Sequence, residues 1–489
     1  MSYKQMTGNI ISATKVEPAG NNEASAASGV WNLDDQYDYK RGANWPEAGV
    51  PDPATLVKNI FSTFLYTGNG GSTATINNGI DLAGEGGMVW IKARNATEDH
   101  VIFDTIRGVT KYLEPNKSTA QLTSTGTLTN FYDNGFKVDG GGTVGSSTDP
   151  YVSWTFRKAP KFFDIVTYTG NGSARTISHN LGSVPGMIIT KRLDNTSDWG
   201  VYHRGYGAGG PAGILNGTDA AFSNANYWNN TNPTSAVFSL GNFANVNTDG
   251  ATYVAYLFAH ETGSASMIQC GTYEGNGNAT GPVINLGWEP QWLLIKNVDA
   301  TNNWELVDNM RDFRTPKVNV GLFALNPNLT AVEAEGRAYG ATATGFSIVD
   351  DHADVNANNN TYIYMAIRRP NMATITDATE VFAISTNGQA GDSKAPAYRS
   401  TFPVDMYFEK STGGSPGYIS NRLTGKNYMR TNATNAVAAD NNLLWSFNNG
   451  VYNTTGSNSA YYGWMWKRAK GYFDVVAYTG TGSAKTEAH

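Results

Sequence analysis

The amino-acid sequence predicts an all-β protein: a tandem array of antiparallel β-sandwich domains, jelly-roll or lectin-like, after a short extended N-terminal segment. Three observations support this. A unit of about a hundred residues recurs along the 489-residue chain. Its segments are short, rich in β-branched and aromatic residues, and bounded by Gly, Asn, Asp and Pro. Charged residues make up only 16%, and glycine occurs 54 times, which favours turns and strands over charged helices.

The repeat is clearest where the string FFDIVTYTGNGSARTISH (162–179) returns as YFDVVAYTGTGSAKTEAH (472–489). Each unit opens with an aromatic residue before a Gly/Asn turn, continues with an apolar run that ends in lysine, and closes on an aromatic segment. The opening residues are Tyr66, Tyr168, Tyr273 and Tyr478. The lysines are Lys92, Lys191, Lys296 and Lys410, and the closing segments begin at Tyr151, Tyr253, Tyr362 and Tyr461. In the fourth unit the opening turn survives only as STNGQAG from Ser385.

Within a unit, the elements are predicted as strands almost throughout. The segments FDIVTYTG, GMIITKRL, WGVYHRG, AVFSLGN and TYVAYLFAHE have the length and composition of strands. The last has aromatic residues on both faces when written as a strand, so we expect it to be covered on both sides, as in a sandwich interior or at a domain junction. Only residues 53–65 carry a weak helical pattern.

The repeat divides the chain into six predicted parts. Residues 1–58 form an N-terminal segment, and residues 59–159, 160–261, 262–369 and 370–470 form repeats 1 to 4, of which the fourth is diverged. Residues 471–489 begin a fifth repeat, which is incomplete, so we expect the gene to continue beyond it. Because the linkers are only a few residues long, consecutive repeats should pack stiffly into a semi-rigid rod.

Composition excludes several classes of protein. The net charge of −6, without a basic stripe, argues against electrostatic binding of nucleic acid or of an anionic membrane. Cys270 is the only cysteine, so neither an intrachain disulfide nor a cysteine-based zinc site can form. The N-terminus lacks a secretory signal, and no apolar run is long enough for a membrane span. We therefore expect a soluble protein that does not insert into membranes.

Two sets of aromatic residues are candidate ligand contacts. The first stands eight residues after each repeat lysine and comprises His100, Trp199, Trp304 and Tyr418. These rings could stack on a sugar, although a position filled in every repeat is also what a core or interdomain contact would require. The second is Tyr227 and Trp228, in a polar loop, where the alternative is a loop anchor. Four residues after the first set stand Asp104, His203, Asp308 and Arg422, whose changing chemistry predicts a hydrogen-bonded or solvated surface position rather than a catalytic one.

Signals for metal binding or catalysis are weaker. The loop IVDDHADVNANNN (348–360) has alternating oxygen ligands, but Asn359 and Met365 stand where an EF-hand needs glycine and glutamate, so a solvated turn is favoured over calcium. GGSPG around Ser415 matches the nucleophile-elbow pattern only by letter. No pair of acidic residues recurs at a fixed position, as a glycosidase would need. The sequence thus predicts no enzyme, no catalytic residue, no metal and no cofactor.

The residues nevertheless resemble a known family. Tandem units of the form YTGNGS…ISHNLGSVPGMII…DWGVYHRG…YVAYLFAHE, after a head segment ASGVWNLDDQYDYKRGANWP, are similar to those of virion structural proteins of marine tailed bacteriophages, cyanophages especially. Such proteins are usually described as tail fibres or fibre-like appendages. The resemblance is strongest over 162–261 and thin in repeat 4, and it implies a place in the virion, after synthesis in the host cytoplasm, and contact with the host surface.

The sequence and the resemblance together predict a fibre-like virion protein. Residues 1–58 are expected to attach it to other virion proteins of tail or capsid, through the aromatic residues Trp31, Tyr37, Tyr39 and Trp45. The tandem repeats are expected to present a surface that binds a host glycan or protein receptor, with multivalency strengthening weak contacts. Phage fibres are often trimers, although no heptad run supports one here. The alternatives are a polysaccharide-degrading tailspike and a decoration protein without a receptor role.

Overall fold

The computed structural model describes most of the chain from residue 57 onward. It covers 57–476 apart from 147, 208–210, 264–265, 316–320, 371, 373–374, 386–394, 441 and 454–460, together with 34, 35, 37, 478, 482–484 and 486. Antiparallel strands dominate these residues, which confirms the predicted all-β fold. The helices in the described ranges are short, and none is long and apolar enough to cross a bilayer.

The described residues of repeats 1 and 2, with the segment that leads into them, form seventeen strands and three short α-helices. Helix α1 (Val57–Ile60) leads directly into repeat 1, whose strands are β1 Phe61–Thr67, β2 Ala74–Asn77, β3 Gly87–Ala93, β4 Val101–Asp104, β5 Lys111–Tyr112, β6 Leu122–Thr123, β7 Leu128–Tyr132, β8 Gly135–Val138 and β9 Pro150–Arg157. Repeat 2 contains β10 Phe163–Thr169, β11 Arg175–Ser178, β12 Pro185–Arg192, β13 Gly200–His203, β14 Pro211–Ile214, β15 Phe222–Ser223, α2 Ala225–Trp228, β16 Val237–Leu240, α3 Ala244–Asn247 and β17 Thr252–Ala259.

Repeats 3 and 4 continue the same order of elements. Repeat 3 contains β18 Ile268–Glu274, β19 Val283–Asn285, β20 Pro290–Asn297, β21 Glu305–Asp308, β22 Phe323–Ala324, β23 Ala334–Glu335, β24 Tyr339–Thr342, β25 Gly345–Ile348, α4 Ala353–Asn356 and β26 Thr361–Arg368. Repeat 4 contains β27 Phe382–Ser385, β28 Tyr398–Arg399, β29 Met406–Ser411, β30 Tyr418–Asn421, β31 Asn427–Arg430, β32 Ala438–Ala439, β33 Gly450–Val451 and β34 Tyr461–Trp466. Single 3-10 turns lie at Gly142–Val144, Arg204–Tyr206, Ala378–Glu380 and Arg422–Thr424.

Every repeat has the same main sheet. Its opening strand pairs with its closing strand, the closing strand with the apolar strand, and the apolar strand with a short fourth strand. The orders are β1-β9-β3-β4, β10-β17-β12-β13, β18-β26-β20-β21 and β27-β34-β29-β30, and those of repeats 2 and 4 extend by two further strands. This pairing brings the opening and closing landmarks of the sequence together. Tyr66 stacks on Tyr151 at 5.1 Å, and Tyr168 on Tyr253 at 5.1 Å.

A smaller second sheet covers one face of each main sheet, which makes each repeat a sandwich. In repeat 1 it is β2-β8-β7, and Phe136 and Val138 from it pack against Val89 and Ile91 of β3. The alternate residues of β3, such as Trp90, point to the opposite face and join a core shared with other repeats. All seven residues of β3 are therefore buried, because both faces of the strand are covered.

Repeats 1, 2 and 3 close on one another instead of forming the expected rod. Trp154 of repeat 1 donates a hydrogen bond to Asp308 of repeat 3 over 2.9 Å, and Arg94 and Glu333 form an ion pair between the same two repeats. In a linear array each repeat would contact only its neighbours. Since repeats 1 and 2, 2 and 3, and 3 and 1 all touch, we call these repeats the three-repeat ring. Their status as separate folding domains stays a prediction.

Repeat 4 docks outside the ring, against repeats 3 and 1. Its Asn448 side chain bonds both the N–H and the carbonyl of Leu65 on the edge strand β1, as a partner strand would. Arg369, at the end of repeat 3, pairs with the buried Asp405 over 2.7 Å. The repeat is thereby fixed to the ring through backbone-like and ionic contacts.

Candidate functional site

The three interfaces of the ring are built from equivalent residues. A backbone N–H of one repeat donates to the carbonyl two residues after the buried lysine of the next repeat. The three bonds run from Gln121 to Leu193 (2.9 Å), from Ala221 to Val298 (2.8 Å) and from Glu333 to Arg94 (2.7 Å). Because the third bond returns from repeat 3 to repeat 1, the contacts form a closed cycle with approximate three-fold symmetry.

Two of the predicted sugar-stacking rings, Trp199 and Trp304, lie inside these interfaces. The indole N–H of Trp199 donates to the carbonyls of Glu114 and Lys117 in repeat 1, and that of Trp304 donates to the carbonyl of Ile214 in repeat 2. Both side chains are at most 1% exposed. The ligand-binding interpretation of Trp199 and Trp304 is therefore wrong, because neither ring has a face open to a sugar. The interdomain alternative is the one that the geometry supports.

The polar column is buried as well, contrary to the predicted surface position. Asp104 accepts a hydrogen bond from the Tyr256 hydroxyl of repeat 2 over 2.7 Å, as Asp308 does from Trp154 of repeat 1. His203 contacts the Tyr364 carbonyl of repeat 3 through Nε2 at 3.1 Å, and burial lowers its pKa to about 3. Asp104, His203 and Asp308 thus each bond the closing strand of the next repeat in the cycle. Arg422, the fourth residue of the column, is also buried, but it donates to carbonyls of its own repeat and to that of Asn309 in repeat 3.

Tyr227 and Trp228 are also core residues. They belong to α2, whose N-cap Asn224 accepts a hydrogen bond from the Asn226 N–H, and each is 1% exposed. The Tyr227 hydroxyl accepts a hydrogen bond from Asn245 over 2.8 Å. The loop-anchor alternative fits these contacts, and the ligand-binding interpretation of both residues is wrong because the rings are covered by their own sandwich.

The remaining candidates fall into two groups. Of the predicted attachment residues, Tyr37 is 66% exposed, while Trp31, Tyr39 and Trp45 lie outside the described residues. In the acidic loop, Asp354 pairs with Arg337 over 2.6 Å and accepts from Asn302, so its carboxylate is already compensated. No cluster of three metal-ligating side chains occurs in the described ranges.

A cavity at the junction of repeats 3 and 4 carries arginines that are already paired. Arg369 and Arg468 both bind Glu289, at 2.9 and 2.7 Å, and Arg468 also pairs with Asp474. These ion pairs hold the two repeats together, so the charges of Arg369 and Arg468 are already compensated.

Tyr418, the fourth ring of the first aromatic set, lies in the interior of repeat 4 among residues that sequence reasoning missed. A cavity of 270 Å³ lies there against one face of the main sheet, and we call it the tyrosine cavity. Its lining comprises Tyr407, Glu409, Tyr418, Ser420, Tyr428, Ala439, Asp440, Leu443, Asn453 and Tyr461. Tyr407 and Glu409 lie on β29, Tyr418 on β30, Tyr428 on β31 and Tyr461 on β34, so the cavity spans four adjacent strands of one sheet.

Strand register explains why this cavity exists. Glu409 pairs with Tyr418, as Ile91 pairs with Val101 in repeat 1 and Ile295 with Glu305 in repeat 3. The sequence alignment had matched Tyr418 with His100, which is one residue off. Since side chains alternate between the faces of a strand, this single-residue slip moves Tyr418 from the outer face of the sheet to the sandwich interior. There, repeat 4 has tyrosine and glutamate where repeat 1 has valine and isoleucine.

Glu409 is the unusual group in this cavity. Its side chain is fully buried, and one carboxyl oxygen accepts hydrogen bonds from the Tyr407 hydroxyl and, at 3.4 Å, from Asn453. The other oxygen, Oε1, has no hydrogen-bond partner among the described residues. Burial raises the pKa of Glu409, and the neighbouring Asp440 raises it further. A buried carboxyl oxygen without a partner is uncommon, although Glu305 of repeat 3 has one as well. Because Glu409 lines the tyrosine cavity, this cavity is the candidate site.

A comparison with protein families matches residues 57–370 to a domain of unknown function, DUF7483. The chain belongs to the DUF7483 family. The matched span begins at α1 and ends just after β26, so the DUF7483 match coincides with the three-repeat ring and leaves repeat 4 outside it. Among curated proteins, none matches the chain.

Proposed function

We propose that the chain is a structural protein of a bacteriophage virion, part of a fibre-like appendage that contacts the host surface. In this proposal the three-repeat ring is a rigid scaffold and repeat 4 carries the ligand site. The virion assignment rests on the resemblance of the repeats to phage fibre-like proteins. The observation that carries the binding role is the tyrosine cavity, which opens where the interior of repeat 1 is filled by apolar side chains.

The architecture of the ring suits a scaffold. The rings of Phe156, Phe258 and Trp292, one from each repeat, meet in the shared core, with centroids 5.5 and 6.0 Å from Phe156. A core that joins three repeats resists bending far better than short linkers do. Homotrimerisation of the chain stays a prediction, since the three-fold arrangement described here is formed within one chain.

Adsorption competition tests the attachment role. The purified chain should slow adsorption of the virus to its host in a dose-dependent way, and an antibody against the chain should label an appendage of intact particles by electron microscopy. Labelled particles without competition would favour a decoration protein. Release of reducing ends from host polysaccharide would favour the tailspike instead, in which Glu409 and Asp440 would be the carboxyl groups to examine first.

The N-terminal attachment role is tested by truncation. Deletion of residues 1–56 keeps Val57, which is buried in the ring core, and therefore spares α1. Particles assembled with this variant should lack the protein. Incorporation at the normal level would contradict attachment through this segment.

A further inference from the structure

The lining of the tyrosine cavity is electronegative. Glu409 and Asp440 are its only ionisable side chains apart from tyrosines, and none of the lining residues is Lys, Arg or His. Arg430 stands opposite Tyr418 in the sheet, but it is exposed and does not line the cavity. The Lys410 ammonium is bound to the Ser415 carbonyl, and Lys410 itself is on the opposite face of β29 from Glu409. Among the residues that the structure describes, the cavity therefore has acidic groups and no counter-charge in its lining.

Its walls are aromatic faces and edges. Tyr418 and Tyr428 meet edge to face, with centroids 5.2 Å apart and planes at 82°, so two rings form walls at nearly right angles. Tyr407 and Tyr461 complete the aromatic lining. The face of a tyrosine attracts a cation within about 6 Å of the ring centroid, most strongly when water is excluded.

These properties exclude other small ligands. An anion would be repelled by two carboxyl groups. Calcium takes about six to eight oxygen ligands, and a wall of tyrosine rings supplies too few. A neutral polyol would leave a buried carboxylate uncompensated. With a volume of 270 Å³, the cavity is smaller than sites for drug-sized molecules and fits a single headgroup.

We propose that the tyrosine cavity binds an organic ammonium group, primary or quaternary, with Glu409 as the buried counter-charge. Such a group can come from an amino sugar, from an aminoalkyl headgroup or from a lysine side chain, and all three share this chemistry. The inference deepens the proposed function by naming the ligand class of repeat 4, and its biological meaning rests on that function.

Glu409 should couple binding to protonation. An ammonium group next to Oε1 favours the ionised carboxylate, so binding should release a proton wherever the free protein holds Glu409 partly protonated. The other groups that face it, Asp440, Tyr398, Tyr407 and Tyr461, carry no positive charge at neutral pH. Affinity should therefore rise with pH up to the point at which Glu409 is fully ionised in the free protein.

Titration calorimetry on the full chain provides the test, with choline and its neutral isostere 3,3-dimethylbutan-1-ol as the first pair of probes and glucosamine and glucose as the second. We expect each cation to bind at least about tenfold more tightly than its neutral counterpart. Choline binding should release a proton, measured as a dependence of the heat on the ionisation enthalpy of the buffer. Equal affinity for choline and its neutral isostere would overturn the proposal, as would an absence of binding by all four probes.

Three variants and one control locate the site. Glu409→Gln keeps the shape of the side chain but should weaken choline binding at least about tenfold and abolish proton release, whereas Glu85→Gln, on an exposed glutamate of repeat 1, should change neither. Tyr428→Phe should retain binding, because the aromatic face remains, and Tyr428→Leu should lose it. Unchanged affinity in both Glu409→Gln and Tyr428→Leu would contradict the assignment to this cavity.

The outcomes separate this inference from the proposed function. If the chain competes with adsorption but binds none of the ammonium probes, the attachment role is supported and the proposed ligand class is contradicted. If the chain binds choline through Glu409 but does not compete with adsorption, the ammonium site is supported and the attachment role is contradicted.

Discussion

At the residue scale, one position can perform the same task with different side chains. Asp104 and Asp308 each bind a guanidinium three residues later, Arg107 or Arg311, and each accepts a hydrogen bond from the next repeat. His203 bonds the next repeat through a ring nitrogen instead. The changing residue type had suggested a surface position, but burial with a complete set of partners explains it equally well.

Glu305 gives a prediction at this scale. It is almost fully buried, its Oε1 accepts from Asn326 at 3.2 Å, and burial raises its pKa from 4.5 to about 7. Between these two values the folded protein binds more protons than the unfolded chain, so the free energy of unfolding should fall as pH rises from about 4.5 to 7. Glu305→Gln should remove this loss and raise stability at pH 8 by roughly 2–3 kcal/mol, with little effect at pH 4.

Thermal melts across that pH range are the measurement for Glu305. Glu85→Gln is the matched control, since this exposed glutamate should leave the pH profile of the wild type unchanged. A Glu305→Gln profile parallel to the wild type would show that Glu305 does not titrate in this range.

At the scale of the element, a strand's function depends on which residues share its inner face. On β29, Tyr407 and Glu409 point into the sandwich, and the neighbouring β34 has Gly463 opposite Glu409. That glycine gives the tyrosine rings their space. A Cβ built on it would lie 2.4 Å from Cδ1 of Tyr398 and 2.9 Å from Cε2 of Tyr407.

Gly463→Ala should therefore disturb the cavity. Overpacking of this kind typically costs about 1–3 kcal/mol, and displacement of the two rings should also weaken any ligand that depends on Glu409. Gly413→Ala in the same repeat is the control, because its nearest neighbour is the Ser411 hydroxyl at 3.4 Å. Denaturant unfolding of both variants measures the difference, and equal stability would mean that the rings adapt without strain.

At the scale of the whole molecule, the shared core should make the three-repeat ring unfold as a unit. Calorimetry of the full chain should give one transition for repeats 1 to 3, since residues of all three repeats pack in a single cluster. A rod of independent sandwiches would give separate transitions.

Asp308→Ala tests this cooperativity. It leaves Arg311 with Glu333 alone and the Trp154 indole N–H without an acceptor, which should cost about 3–5 kcal/mol and lower the melting temperature of the whole ring by roughly 5–10 °C. Asp194→Ala, which removes an exposed pair with Arg192, should cost less than about 1 kcal/mol. A shift confined to repeat 3 would contradict a cooperative ring.

Much of the fold could be predicted because it depends on short-range sequence patterns. Strand composition, turn residues and the order of landmarks identified an all-β chain with repeated sandwiches, and Tyr66 and Tyr151 do meet as opening and closing partners. The candidate site was harder to predict from the sequence. Glu409 stands in the apolar run of repeat 4, where repeats 1 and 3 have isoleucine, and that exception was the one signal that pointed to the cavity.

By itself, the sequence determined the β class, the repeat and the strands that would be covered on both faces. Only the tertiary structure decided what covers the second face of each sheet, because an apolar face looks the same in sequence whether a neighbour in a rod or a partner in a ring buries it. It also decided the register of Tyr418, since a shift of one residue is small in an alignment but reverses the face of a strand. The closed ring follows from what covers the second face of each sheet, and the tyrosine cavity follows from the register of Tyr418.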